Sequence, residues 1–207
     1  MKVLFVHGLA SSGAYKLAEM LRIILKAEVL APDVPIDPDE ALSLLRKLRE
    51  AERPDLVVGL SWGGFLTLQL SGIRRAVINP DLHISRLMRS MTGEVEYLSP
   101  RRDGTKTFTI TPALCDRYEA LEATIPDGDG LMGLFADGDE LVHCHDEFAA
   151  RYPGRDQKYP GKHLPTFPEV KKFIAPALLA HVESGSGTAC VNTAADSGQP
   201  VPSARKG

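Results

Sequence analysis

The segment Gly59-Leu60-Ser61-Trp62-Gly63 constrains the fold of this 207-residue chain more than any other. It has the pattern G-x-S-x-G, follows an apolar run at 55–58 that predicts a strand, and precedes residues 65–70, which predict a helix. A strand, a tight turn and a helix form the context in which this pattern makes a nucleophile elbow. A Cβ at Gly59 or Gly63 would collide across the turn, so glycines there let Ser61 adopt a strained backbone that lifts its hydroxyl above the sheet edge.

The rest of the chain alternates between predicted strands and helices. Strands are expected at 2–6, 28–31, 74–78, 130–136 and 157–159. The helix between the first two strands is indicated by apolar residues at helical spacing, namely Leu17, Met20, Leu21, Ile24 and Leu25. Asp37 is predicted as the N-cap of a second helix with Pro38 at its first position, and residues 166–179 as a closing helix. Repeated β-α units predict an α/β fold, with a mostly parallel sheet of about six strands covered by helices on both faces.

Two segments do not follow this alternation. Residues 81–129 show weaker periodicity, with a short helix expected near residue 84, an extended piece at 105–110 and a helix at 113–123. An excursion of this length between core strands predicts a small cap-like insertion in a domain spanning 1–182. Residues 183–207 contain few large apolar side chains and are predicted to be a disordered tail.

The composition is that of an ordinary globular domain, with 43% apolar and 25% charged residues. The formal net charge is −3, and the scattered Lys and Arg residues create no basic region, so we expect neither nucleic acid nor a membrane surface as a partner. No stretch approaches the ~20 apolar residues of a membrane span, and the apolar start is too short for a signal peptide, which favours a cytoplasmic location. Cys115, Cys144 and Cys190 match no disulfide framework or zinc motif, so reduced thiols are expected.

A serine hydroxyl is a weak nucleophile at neutral pH, so Ser61 requires an imidazole to accept its proton and a carboxylate to orient that ring. Behind such an elbow the order along the chain is Ser, acid, His. Asp139 is the predicted acid, because it follows the flexible Gly138 on the turn that leaves the strand at 130–136. Asp137, closer to the strand end, is the alternative and is expected to cap the loop.

His163 is the predicted base, because it lies in a loop after the last expected strand. The neighbouring Gly161 and two prolines fix this loop. The other downstream histidines fit less well: His181 falls in the closing helix or beyond it, and His143 and His145 follow Asp139 too closely to complete a separate loop. The catalytic residues predicted from the sequence are therefore Ser61, Asp139 and His163.

Attack by Ser61 would place negative charge on a substrate oxygen, and backbone N–H groups stabilise such charge by ~3 to 4 kcal/mol each. Trp62 supplies one donor because it directly follows the nucleophile. The segment His7-Gly8-Leu9, after the first strand, is the short form of the histidine-glycine motif that supplies the second, which predicts the Leu9 N–H. Because His7 precedes the serine in the chain, we interpret it as ordering this loop by hydrogen bonding rather than as a base.

Five segments together resemble the YqiA/YcfP-like small esterases of the α/β-hydrolase superfamily. They are residues 4–12, 59–64, 77–80, 138–142 and 161–163. The likeness runs from Met1 to about Phe173. It implies a reduced hydrolase core and an esterase activity on small-molecule acyl esters or thioesters carried by Ser61, Asp139 and His163. The chain departs from the resemblance at 101–130 and in its tail, which leaves the acyl preference unpredicted.

Other features of the sequence fit different functions less well or leave alternatives open. The cluster at 143–147 contains two histidines and a cysteine but lacks metal-ligand spacing, and a triad needs no ion, so neither a metal nor another cofactor is expected. Five apolar residues of the insertion fit either an acyl site or ordinary core: Leu87, Met88, Met91, Leu114 and Leu121. A non-catalytic binding module of the same fold and an acyltransferase using the same triad remain alternatives, and the oligomeric state is not predicted.

Overall fold

Eight strands occur in residues 1–184, the part of the chain that the computed structural model describes. They are β1 (Lys2–Val6), β2 (Glu28–Leu30), β3 (Leu56–Leu60), β4 (Arg75–Ile78), β5 (Gly93–Glu96), β6 (Thr107–Ile110), β7 (Leu131–Ala136) and β8 (Asp156–Tyr159). Six of them form one sheet in the order β2-β1-β3-β4-β7-β8, with every neighbouring pair parallel. The expected parallel sheet of about six strands is confirmed. From residue 185 onward, the predicted tail lies outside the described residues.

The helices cover both faces of this sheet. They are α1 (Lys16–Leu25), α2 (Pro38–Glu52), α3 (Trp62–Leu68), α4 (Ile84–Ser90), α5 (Pro112–Glu122), α6 (His145–Arg151), α7 (Phe167–Glu169) and α8 (Ala175–Glu183), with a π-helical turn, Val170–Ile174, between the last two. Apolar residues of α1 and α8 pack on one face, and those of α2, α3 and α6 pack on the other. Alternate residues of β1 enter the two cores, Val3 and Phe5 on one side and Leu4 and Val6 on the other.

Helix boundaries follow the capping chemistry. The carboxylate of Asp37 accepts hydrogen bonds from the Asp39 and Glu40 amides, as the sequence predicted for the start of α2.

Helix α3 differs from its predicted bounds, because it begins at Trp62 immediately after Ser61 and not at residue 65. Its early glycines have low helix propensity but are required by close packing, so tertiary contacts override the local preference.

Between β4 and β7 the chain forms α4, an antiparallel β5-β6 hairpin and α5. Ile84, Phe108 and Tyr118 from this segment belong to the same buried cluster as α2 and α3. Strand β5 was not predicted; it alternates Glu with Gly and Val and carries little apolar signal. Helix α6 was not predicted either, because its only fully buried apolar residue is Phe148.

The loop that joins β5 to β6 reaches back to the loop after β1. The Leu98 N–H donates to the Ala10 carbonyl at 2.7 Å, and the Ser12 hydroxyl donates to the Pro100 carbonyl at 2.8 Å. These bonds hold Leu98, which is 85% exposed, above the carboxyl edge of the sheet. Ligands of open parallel sheets bind at that edge. Within residues 1–184, every helix is too short or too polar to cross a lipid bilayer.

Candidate active site

The backbone of Ser61 lies in a region that side chains rarely adopt, with φ 54° and ψ −118°. Such a conformation costs of order 1–3 kcal/mol and persists only where the surroundings enforce it. Here the Ser61 N–H donates to the Ile78 carbonyl of β4 at 3.0 Å, and the Ser61 carbonyl accepts from the Phe65 N–H of α3 at 3.0 Å. The two bonds fix the turn from both sides.

The glycines on either side of Ser61 allow the strand and the helix to approach closely. A Cβ at Gly59 would lie 2.3 Å from the Gly63 carbonyl oxygen, and one at Gly63 would lie 2.2 Å from the Val6 oxygen. Both distances are far below van der Waals contact. The pattern G-x-S-x-G therefore occurs here in the strand-turn-helix geometry that the sequence predicted.

His163 and Asp139 form a buried pair, with 2.8 Å between His163 Nδ1 and Asp139 Oδ2. The other carboxylate oxygen of Asp139 accepts the N–H groups of Leu141 and Val142, each at 2.9 Å. Because a carboxylate can only accept hydrogen bonds, the His163 Nδ1 carries the hydrogen and donates it. In a neutral ring, this leaves Nε2 unprotonated and able to accept a proton. Asp137 is exposed, and the structure places Asp139 rather than Asp137 against the ring.

Ser61 and His163 line one cavity of about 320 Å³ at the carboxyl edge of the sheet. Its walls are mainly apolar and come from the loop after β1, from α4, from the β5-β6 loop and from the loops after β7 and β8. The apolar lining includes Leu9, Leu87, Met91, Leu98, Leu141, Val142 and Leu164. The volume lies at the small end of the ~300–1,000 Å³ typical of ligand pockets.

His7 orders the loop that forms one wall of this cavity. The Val34 N–H can only donate, so His7 Nε2, at 3.0 Å, accepts its hydrogen bond, and Nδ1–H donates to the Gly8 carbonyl at 2.9 Å. Burial lowers the pKa of His7 to about 4, which keeps the ring neutral. The Gly8 carbonyl also accepts from the Ser11 N–H. Since C=O and N–H of a trans peptide point in opposite directions, the Leu9 N–H points away from His7.

The amide of Trp62 is the first of α3 and so has no partner within the helix. The Trp62 indole is buried, and its Nε1–H donates to the Tyr118 hydroxyl at 3.0 Å. That hydroxyl in turn donates to the Ile36 carbonyl at 2.9 Å. The side chain after Ser61 is thereby anchored to α5 and to the loop before α2. Leu9 and Ser61 line the same cavity, and Trp62 directly follows Ser61 at the start of α3.

Asn79 connects β7 to the loop that carries His163, a role that its place in the sequence did not predict. Its Nδ2 donates to the His163 carbonyl at 2.8 Å and to the Tyr159 hydroxyl at 3.2 Å, and its Oδ1 accepts from the Ala136 N–H at 2.8 Å. The residue is buried and has φ 45°, a left-handed conformation that Asn tolerates better than most residues. The sequence signal that could have indicated this role is the Asn79-Pro80 pair directly after a buried strand.

The remaining sequence candidates lie elsewhere or have structural partners. His181 contacts the Gly130 carbonyl in front of β7, at the opposite edge of the sheet. His145 lies between Asp146 and Asp156, at 2.8 Å from each. Across residues 1–184 no three His, Cys, Asp or Glu side chains gather as a possible metal site. Of the five apolar candidates between β4 and β7, Leu87 and Met91 line the cavity, and Met88, Leu114 and Leu121 belong to or pack against the core.

Comparison with known proteins defines the class. Residues 3–200 match the model of the alpha/beta hydrolase family, and the chain belongs to that family. The structure is similar to a chain described with the metagenome-derived lipolytic enzymes LipS and LipT (TM-score 0.58, 14% identity, 88% of this chain and 93% of that chain). It is also similar to the esterase domain of a Rhodothermus marinus protein (TM-score 0.57, 18% identity, 86% and 85%). A third similar structure is the type II thioesterase BorB from the borrelidin biosynthetic cluster (TM-score 0.53, 16% identity, 87% and 92%).

These identities establish the fold alone, and the predicted α/β-hydrolase fold is confirmed. The search of curated proteins finds no match.

Proposed function

We propose that the protein is a serine esterase that hydrolyses acyl esters or thioesters through an acyl-enzyme on Ser61. This proposal depends on one observation: the strained Ser61 and the Asp139-paired His163 line the same cavity. Family membership supports hydrolase chemistry, and esterase and thioesterase neighbours are the reason to test both substrate types. We assign the protein to the YqiA/YcfP-like group and to the cytoplasm as part of the same proposal.

In the proposed mechanism, His163 Nε2 accepts the Ser61 proton as Oγ attacks the substrate carbonyl carbon. The Leu9 and Trp62 N–H groups stabilise the oxyanion, and Asp139 stabilises the imidazolium and holds its orientation. The imidazolium then protonates the departing alcohol or thiol. Water then attacks the acyl carbon while His163 removes its proton. The resulting imidazolium returns a proton to Ser61 Oγ as the acid leaves, which regenerates the serine.

The test combines turnover with covalent labelling. Purified wild-type protein is expected to hydrolyse p-nitrophenyl butyrate and to be labelled by a fluorophosphonate on Ser61. Ser61→Ala should lose both, and His163→Ala should lose labelling. Ser99→Ala is the matched control, because it removes another hydroxyl from the same cavity wall and should leave labelling intact. A folded wild-type protein that neither reacts nor turns over an ester would support a binding module instead.

Partition of the acyl group separates hydrolysis from transfer. With an added alcohol or amine acceptor, an esterase releases mainly the free acid. Predominant formation of the new ester or amide would identify an acyltransferase that uses the same residues.

A further inference from the structure

Asp81 introduces a carboxyl group into a mainly apolar cavity. It follows the Asn79-Pro80 pair at the end of β4 and lines the cavity together with Ser61 and His163. Among the lining residues, all of which lie in the described part of the chain, it is the one carboxylic acid, and none is Lys or Arg. The proposed mechanism gives Asp81 no task, since Asp139 already orients His163.

Asp81 is largely buried, and its second carboxylate oxygen has no partner in the described part of the protein but is not closed off from solvent. The residue is 8% exposed, and its Oδ1 accepts the His83 N–H at 2.9 Å. The hydrogen bonds and salt bridges within residues 1–184 give Oδ2 no partner, and no cation pairs with the carboxyl group. Burial raises the pKa of Asp81, and the His83 N–H opposes that rise. A partly desolvated carboxyl group costs free energy unless water or a ligand satisfies it.

We propose that Asp81 Oδ2 forms a polar subsite that accepts a hydrogen bond from a donor group of the substrate, either a hydroxyl or a protonated amine. The preferred ester or thioester then carries such a donor near its reacting carbonyl, because Asp81 and Ser61 share one small cavity. This inference rests on the proposed esterase function and adds the chemical class of the substrate. Anionic groups are disfavoured in the cavity, because its lining supplies a carboxyl and no Lys or Arg.

Discrimination between substrates follows from the unpaired acceptor Oδ2. A substrate without a donor displaces water from the cavity and leaves Oδ2 unpaired, whereas a matched donor replaces that water. Sites that bond a substrate hydroxyl or amine reject the analogue lacking it much more strongly than apolar pockets reject an extra methylene. For one bond to an ionisable group, the expected preference in kcat/KM is about ten- to hundredfold.

The experiment compares matched pairs of esters on the full-length protein. The acyl pairs are the p-nitrophenyl esters of butyric and β-hydroxybutyric acid, and of butyric acid and β-alanine. The pair that differs in its alcohol is propyl butyrate and glycerol monobutyrate, and the hydrolysis of both is measured by acid release. Each ratio is measured for wild type and for Asp81→Asn, which keeps the oxygen that accepts the His83 N–H and replaces the other oxygen by an NH₂ group. Thermal unfolding establishes that the variant is folded, and Asp81→Ser serves if it is not.

We expect at least one donor-bearing ester to exceed its partner about tenfold or more in wild type, and this ratio to fall towards one in Asp81→Asn. Comparison of the hydroxyl-bearing and amine-bearing esters identifies the donor group that Asp81 prefers. Ratios near one for every wild-type pair, or a preference that survives in the folded variant, would overturn the subsite while leaving Ser61-dependent hydrolysis in place. If the wild-type protein showed neither ester turnover nor fluorophosphonate labelling, the esterase function would be overturned, and the subsite with it.

Discussion

The Nδ2 of Asn79 lies 2.8 Å from the carbonyl oxygen of His163, 84 positions further along the chain. The Oδ1 of the same side chain accepts the N–H of Ala136, three residues before Asp139. One buried amide thus joins the end of the strand that leads to Asp139 and the loop that carries His163. The distance between acid and base is set by this connection as well as by their own hydrogen bond.

Replacing Asn79 is therefore expected to lower the turnover number without changing substrate binding. Asn79→Asp keeps an acceptor for the Ala136 N–H but loses the donor to His163, so the loop shifts and kcat should fall about ten- to hundredfold, with KM within about twofold. The measurement is steady-state hydrolysis of p-nitrophenyl butyrate together with the rate of fluorophosphonate labelling. Tyr159→Phe is the matched control, because it removes only the longer 3.2 Å bond and should cost much less. A folded Asn79→Asp protein with wild-type kcat would contradict this positioning role.

The two aspartates on the loop after β7 provide a direct comparison. In Asp139→Asn, the oxygen can still accept the Leu141 and Val142 N–H groups, but the new NH₂ faces His163 Nδ1 and favours the tautomer with hydrogen on Nε2. That tautomer cannot accept the Ser61 proton, so kcat should fall roughly ten-thousand-fold. Asp137→Asn changes an exposed carboxylate and should stay within about twofold of wild type. Equal losses of kcat in both variants would contradict the assignment of Asp139 as the residue that orients His163.

The sheet and the elbow could be predicted because their signals are local. Apolar runs, capping residues and the glycines around Ser61 lie close together in the chain, and a parallel sheet then brings its carboxyl ends to one edge. The roles of Asn79 and Asp81 could not be predicted, because they depend on groups beyond this local pattern. Asn79 contacts residues 57 and 84 positions away, and Asp81 lines a cavity whose other walls come from distant parts of the chain. Strand β5 carries too little apolar periodicity to be recognised without its partner β6.

The close approach at Gly63 predicts a steep cost for adding one methyl group. In Gly63→Ala the new Cβ would lie 2.2 Å from the Val6 oxygen and 2.3 Å from the His7 oxygen, both backbone atoms that cannot move aside cheaply. We expect a loss of at least roughly 2 kcal/mol in the free energy of unfolding, measured by urea denaturation. Gly8→Ala is the control, since a Cβ there has its nearest neighbour at 3.7 Å. Similar stability of the two variants would show that the turn is less constrained than this geometry requires.

Buried neutral His7 makes stability depend on pH in a defined window. Burial lowers its pKa in the folded protein to about 4, from 6.5 for the free side chain. Below pH 6.5 the unfolded chain binds a proton at this site and the folded protein does not. Its contribution is therefore complete above pH 6.5 and is lost as the pH falls towards 4. The slope approaches 1.4 kcal/mol per pH unit, for a total on the order of 3 kcal/mol.

His7→Gln isolates this contribution, because the Gln carbonyl can still accept the Val34 N–H and does not titrate. Wild type should exceed the variant in free energy of unfolding by the largest margin near neutral pH, and the margin should shrink on acidification across the window. Urea denaturation of both proteins at several pH values measures it. The carboxyl of Asp37, whose pKa is lowered chiefly by its hydrogen bonds from Arg117, titrates at lower pH in both proteins and cancels in the difference. A margin that does not change between neutral pH and pH 4 would mean that His7 is not held neutral by burial, and its proposed role in ordering the Gly8-Leu9 peptide would lose its electrostatic basis.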